Sequence, residues 1–341
     1  MDSTTYQLAT TLVDLLLSPH PPPPSSPPLL LSSYALSLPL LRQTPSDPPP
    51  VPSSHPRLFH LLVQLLAKPL GLSYDGLLSL ARNRQTMHTR RKAAGVRQDP
   101  RHRRGYDETG DITQQARRAQ YPPYLMAKII VESVTGLRGK RSSDAMKDPS
   151  TSLLPWSGAP PLPLASAVLR AIAADPLNGP RHDLYRRRLG VEYEIRLQRI
   201  LDRANIPYTT EDKLRELGAS KTPDVLLDCP MGALVGGKWR QVCWIDSKAL
   251  FGDEHTHKGE VLKQALGYVH RYGPGMILYW FGHAPAGLMW EGVGGEGGGD
   301  GKDILVVDRM PEVRMFPNGT TALGGGKRGD GGVGRPFTIE E

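Results

Sequence analysis

Cysteine is nearly missing from this chain, with only Cys229 and Cys243 among 341 residues. No disulfide framework can be built on them, and a reducing compartment is the default. Long apolar runs are missing too. Prolines interrupt the leucine-rich stretches well short of the roughly 18 consecutive apolar residues that a membrane span requires, so none is expected. The N-terminus lacks a basic segment, and its apolar run LATTLVDLLL carries Asp14, so it does not read as a signal peptide. Acidic residues are the minority charge: 34 against 42 Lys and Arg, a net charge of +8. That balance favours an acidic partner such as nucleic acid and says nothing of fold. The apolar share is low at 39%, while proline (33) and glycine (36) are abundant. The mixture predicts a real core diluted by low-complexity stretches, in one to three domains.

Composition changes along the chain suggest four segments. Residues 1–56 combine a short amphipathic helix at 5–17 with the Pro/Ser-rich SPHPPPPSSPP and TPSDPPPVPSSHP, which read as extended linker. Residues 57–180 read as a helical region. RLFHLLVQLLAKPLG is a helix ended by Pro69 and Gly71. The stretch from Arg82 to Arg104 is the most basic of the chain, with clusters RRK at 90–92 and RHRR at 101–104. It fits a solvated linker, a nuclear localisation signal or a phosphate-binding patch. Arg90, Arg91, Lys92, Arg101, Arg103 and Arg104 are the nucleic-acid-binding candidates there, and a nuclear location is the expectation. DITQQARRAQYPPYLMAKIIVESVTG predicts two helices joined at YPP, either a helix-turn-helix or a plain core pair.

Residues 181–317 change character. A long amphipathic helix is followed by the short strand IPYTT, a turn of helix, the strand PDVLLDCP, a hairpin turn at the GG of GALVGGKWR, the strand QVCWID, a helix GEVLKQALGYVHRYG and the apolar strand GMILYWF. DILVV and EVRMF are expected as a strand pair. Residues 318–341 are a glycine-rich tail expected to be disordered. The NGT sequon at 318–320 has no meaning without secretion.

Within this last large segment four groups have chemistry in common. Asp224 opens the DVLL strand, Asp246 ends the QVCWID strand, Lys248 lies two residues on and hence on the same face, and Glu192 projects from the long helix. Two carboxylates on neighbouring strand ends can hold a hard cation, which prefers oxygen ligands. Such an ion polarises a phosphoryl oxygen and acidifies water. A lysine beside it can orient or deprotonate the attacking water and stabilise the charged transition state. Asp-x-Lys alone is weak. A strand-end aspartate is more often a cap or an ion-pair partner. A zinc site from Cys229, Cys243, His255 and His257 is the rival, although no CxxC spacing supports it.

PD followed by DSK 22 residues later resembles the PD-(D/E)xK nuclease superfamily. KTPDVLLDCP, WIDSKALFGDEHTH and QALGYVHRYGPGMILYWFGH more narrowly resemble the codanin-interacting nuclease family with its Thr-Pro-Asp signature. The close resemblance covers about residues 183–283, and a weaker one reaches back through PPYLMAKIIVESV to that family's helix-turn-helix region. It implies a restriction-endonuclease-like αβββαβ core after a helical region, working on DNA, including structured or branched DNA, with Mg²⁺ or Mn²⁺. By the same resemblance Asp224, Asp246 and the Ser247 carbonyl would hold the metal. Lys248 would act on water, Glu192 would be the helix acid with Glu194 as its rival, and Gln264 would support the lysine or water. A codanin-like protein is the implied partner, and a catalytically weak scaffold for such a partner is the competing reading. Asp253, Glu254, His255 and His257 could extend the site or form a polar loop.

Overall fold

The computed structural model describes residues 1–17, 56–156, 163–290 and 303–315. The proline-rich stretch after residue 17, the glycine run 291–302 and the tail expected beyond 317 lie outside the described residues. In chain order the main elements are helices α1 (Ser3–Leu17), α2 (Pro56–Ala67), α3 (Tyr74–Gln98), α4 (Pro100–Thr109), α5 (Ile112–Ala119), α6 (Pro123–Thr135), α7 (Leu164–Ala174) and α8 (Pro180–Arg203). Then come β1 (Tyr208–Thr210), α9 (Glu211–Glu216), β2 (Val225–Val235), β3 (Lys238–Lys248), α10 (Leu262–Tyr272), β4 (Gly275–Tyr279), α11 (Ala286–Trp290), β5 (Ile304–Val307) and β6 (Val313–Met315). Among the described residues no helix is long and apolar enough to cross a membrane. The chain divides into two compact units: residues 8–66 with 84–183, and residues 1–7, 67–83 and 184 onward.

The first unit is helical throughout its described residues. The basic stretch that fits a linker is instead regular helix, most of α3 and α4. Arg, Lys, Gln and Ala are good helix formers. Asp99 then caps α4, accepting the Arg101 amide at 2.9 Å, with Pro100 in the first turn. Asp111 caps α5 in the same way, accepting from Thr113 N at 2.8 Å and Gln114 N at 3.1 Å. Gln120 ends α5 in the left-handed region (φ 49°), and Pro122 and Pro123 start α6. The α5–α6 pair therefore has the expected tight connection. Its second helix, however, is core: Met126, Ala127, Ile130 and Val131 are buried with Ile112, Leu164 and Val168. Lys128 is bonded to Ser143 and Glu132 to Ser142, so α6 is built for packing.

The second unit is built on a six-stranded mixed sheet, making the chain mixed α/β. Strand order is β1-β2-β3-β4-β5, with β6 also on β2. β1, β2, β3 and β6 pair antiparallel, while β3, β4 and β5 run parallel, with α10 as the β3–β4 crossover. The β2–β3 hairpin turns at Gly236 and Gly237, whose φ of 58° and 72° only glycine adopts easily. The ladder slips once, between Leu226 and Met231. DILVV and EVRMF both form strands, but not with each other: β5 extends the parallel sheet beside β4, and β6 pairs with β2. β4 is wholly buried, as its apolar run requires. Gly275 is obligatory there, because the Trp244 ring lies where a Cβ would stand. Leu197, Ile200 and Leu201 of α8 pack against the sheet with Val225, Ile245, Met276 and Leu278.

Candidate active site

Antiparallel pairing aligns the start of β2 with the end of β3. Val225 faces Ile245, so the next step along the register sets Asp224 across from Asp246. The parallel neighbour β4 ends at the same edge, which is where the carboxyl ends of such strands host ligands. The structure thus brings three of the expected residues together. Lys248 Nζ is 2.7 Å from Asp246 Oδ2, and Asp224 Oδ2 accepts the Ser247 amide at 2.6 Å. Ser247 points to the other face, where its hydroxyl accepts Trp280 Nε1 at 2.8 Å. Asp246 is 1% exposed, and among the described residues neither of its oxygens accepts a well-directed hydrogen bond; the Lys248 ammonium lies against one of them.

The electrostatics follow from this crowding. Burial, then the Asp246 charge, holds the Asp224 carboxyl well above the usual carboxylate range. Burial alone would pull Lys248 down. Asp246, Asp224 and Glu194 outweigh it and hold the amine above the ordinary lysine value. The acid neighbours thus favour the ammonium form of Lys248.

Glu192 is not the helix acid of the site. It stands on the exposed face of α8 among Arg188, Ile195, Arg196 and Arg199. Its rival Glu194 is partly buried, with its carboxyl raised by burial and then by the charge of Glu211, and it feels Lys248 and Asp246. The reason is geometric: Glu194 is three and seven residues before the buried Leu197 and Leu201, on the edge of the packed face. Glu211, the first residue of α9, adds a further carboxylate. Its backbone amide donates to Asp224 O at 3.1 Å, and its side chain accepts Thr222 Oγ1 at 3.0 Å.

Gln264 reaches the site through a tyrosine. Its Nε2 donates to Tyr268 Oη at 2.6 Å, and that hydroxyl donates to Thr222 O at 2.9 Å. One turn on, Tyr272 Oη donates to Lys221 O at 2.9 Å. The two tyrosines of α10 hold the residues just before Asp224. The i, i+4 spacing of Tyr268 and Tyr272 is a signal the sequence carries.

Asp253 proves architectural: it accepts Thr256 N and Thr256 Oγ1, both at 2.9 Å, and Asn83 Nδ2. Asn83 and Ser79 also hold the Phe251 backbone, and Tyr6 stacks on the Phe251 ring. His255 is exposed, whereas His257 is buried, with Nδ1 3.0 Å from Tyr279 Oη. Among the described residues no cluster of three or more His, Cys, Asp or Glu could hold a metal, which removes the zinc alternative of Cys229, Cys243, His255 and His257. Two carboxylates and a main-chain carbonyl fit only a hard cation that keeps much of its water. The buried oxygens of Asp246, short of donors, suit such an ion.

Of the expected nucleic-acid-binding residues, Arg91, Lys92 and Arg101 line one groove of the helical unit. Arg103 is paired with Asp107 at 2.9 Å, and Arg90 and Arg104 are exposed outside that groove.

Residues 162–287 match a family model described as "Protein of unknown function TPD sequence-motif". The stretch contains Thr222-Pro223-Asp224, whose three residues here bond Glu211, turn the chain and face Asp246. Over 168 residues the chain is 36% identical to CDAN1-interacting nuclease 1 of Mus musculus, covering 49% of this chain and 58% of the relative. The protein of that name from Xenopus laevis is 36% identical over 168 residues (49% and 54%), and that of Homo sapiens 34% (49% and 58%). The resemblance to the codanin-interacting nuclease family is thereby borne out over this stretch. The chain spans just over half the length of the curated relatives it matches. No solved structure matches it significantly.

Proposed function

We propose that the chain is a metal-dependent nuclease of the PD-(D/E)xK type, cutting phosphodiester bonds in DNA on a restriction-endonuclease-like core. The observation that carries the reading is the convergence of Asp224, Asp246 and Lys248 at one sheet edge, with a buried acid whose oxygens accept no well-directed hydrogen bond among the described residues. The word nuclease in the relatives' names supports it. Asp224, Asp246 and the Ser247 carbonyl would hold Mg²⁺ or Mn²⁺, which when bound supplies Lewis-acid polarisation of the phosphoryl oxygen and a more acidic water. Lys248, kept as an ammonium by its acid neighbours, offsets charge on the phosphoryl oxygens in the transition state. Glu194 orients the incoming water from the helix side. Tyr268, braced by Gln264, fixes the loop that carries Asp224.

The test is cleavage of fluorescent linear, flapped and four-way DNA in Mg²⁺ by the full chain and by Lys248→Ala and Asp246→Asn. Activity in the wild type lost in both variants is expected. Full activity in either variant overturns the assignment. A codanin-like partner is the second element of the reading, favoured by the relatives' printed name. Cleavage-dead protein that retains binding to such a partner would move the function to scaffolding.

A further inference from the structure

The helical unit holds a feature that cleavage chemistry does not use. A groove of about 550 Å³ runs between α3, α4 and α5. Arg91 and Lys92 from α3, Arg101 and His102 from α4 and Arg118 from α5 line it. Its one acid, Asp99, is neutralised from within: it caps α4 and takes Arg101 Nη2 at 2.7 Å and Nε at 3.0 Å. The surrounding segment 84–118 has ten Arg and Lys against four Asp and Glu.

Gln115 turns this patch into a built site. It also lines the groove, is only 2% exposed, and among the described residues its Nε2 has no acceptor. A buried amide donor without a partner costs free energy, so its presence calls for an acceptor that arrives from outside. Gly105 of α4 makes room for it, since a Cβ there would collide with the Gln115 amide. Val96 and Ala119 are the only residues with apolar side chains that line it. A protein partner would find no pocket for an apolar anchor, whereas a run of phosphates finds cations and a waiting donor.

We infer that this groove between α3, α4 and α5 binds the phosphate backbone of duplex nucleic acid, with Gln115 donating to a phosphate oxygen and Arg91, Lys92 and Arg118 neutralising its neighbours. The contact is to backbone and not to bases, because α6, the helix that would read a major groove, is committed to the core. The site supplies affinity independently of the cleavage centre.

The experiment measures fluorescence anisotropy of a labelled duplex with the full-length Lys248→Ala chain in EDTA, so that binding is read without cutting. Replacing Arg91, Lys92 and Arg118 by Gln together, all exposed side chains, is expected to weaken binding at least tenfold. The slope of log affinity against log salt should become shallower by about 2.7, three phosphate contacts' worth. Gln115→Glu, the same size but repelling phosphate, should weaken binding roughly tenfold with an unchanged circular dichroism spectrum. Unaltered affinity and slope in the triple variant overturn the inference. So does displacement of the duplex by poly-glutamate at equal charge concentration, which would make the groove a site for acidic polypeptide. Failure of the nuclease reading looks different: binding at this groove persists while wild-type protein in Mg²⁺ leaves every substrate intact.

Discussion

Each unit hides aspartate almost completely, and one from each makes the comparison. Asp175 of the helical unit is 2% exposed and Asp246 of the sheet unit 1%. Asp175 accepts three backbone amides, from Tyr124 at 3.1 Å, Leu177 at 3.0 Å and Asn178 at 2.8 Å. It ties the start of α6 to the loop after α7, and its burial is explained by the folding it secures. Asp246 ties nothing. Its neighbours are a lysine and other acids, and apart from the Lys248 ammonium its oxygens meet no donor among the described residues. Similar burial of the same residue type is thus accounted for by packing in one unit and not in the other, and the hydrogen-bond partners distinguish the two.

Four changes would break or sharpen this contrast. The largest effect belongs to the sheet edge. Asp246→Asn and Lys248→Ala should each lower DNA cleavage by at least roughly 10²-fold, read in single-turnover assays. Because Asp246 holds no architecture, the melting temperature of Asp246→Asn should stay level or rise. The second effect concerns the buried His257, whose imidazole is pushed down from 6.5 to about 4 by desolvation, then by His283 and Lys258. The unfolded chain binds this proton and the folded chain does not. Stability is therefore complete above about pH 6.5 and falls as pH drops toward 4, by about 3 kcal/mol in all. Urea titrations at neutral and acid pH measure it, and His257→Gln should flatten the profile. Third, Asp175→Ala should destabilise the helical unit by about 2 kcal/mol, because three buried donors lose their acceptor. Denaturant midpoints report that loss. The smallest effect separates two glutamates: Glu194→Gln should slow cleavage about tenfold, and Glu192→Gln should leave it unchanged.

The pairing of Asp224 with Asp246 and Lys248 was legible because motif residues on strand ends inherit their geometry from pairing and alternation. Glu194 was less so. Helical spacing shows that only one of Glu192 and Glu194 can face inward, but the choice depends on which apolar residues are buried. Ile195 looks like core beside Leu197, Ile200 and Leu201 but is 41% exposed, which blurs the edge of the buried face on which the choice between the two glutamates turns. The basic stretch hid its helices because charge patterning outweighed helix propensity and the Asp99-Pro100 cap in the reading. β5 and β6 were recognisable as strands, but their partners are distant in sequence, and a short connection between two strands does not oblige them to pair. Glu211 was invisible as part of the site, since its place depends on a backbone bond to Asp224 across the sheet.

The slip in β2 between Leu226 and Met231 has a consequence for how this chemistry could arise or vanish. Followed outward from the glycine turn without interruption, the hairpin would seat Leu227 opposite Asp246. The extra residues act as a vernier that advances the strand by three places and, three being odd, turns its other side toward the cleft. Pairing the strands without the slip, every residue kept, would leave a well-formed hairpin with an aliphatic neighbour for the aspartate, whereas deleting the three extra residues would keep Asp224 opposite Asp246. The acid pair therefore depends on where the slip is held along the strand as much as on the two carboxylates themselves.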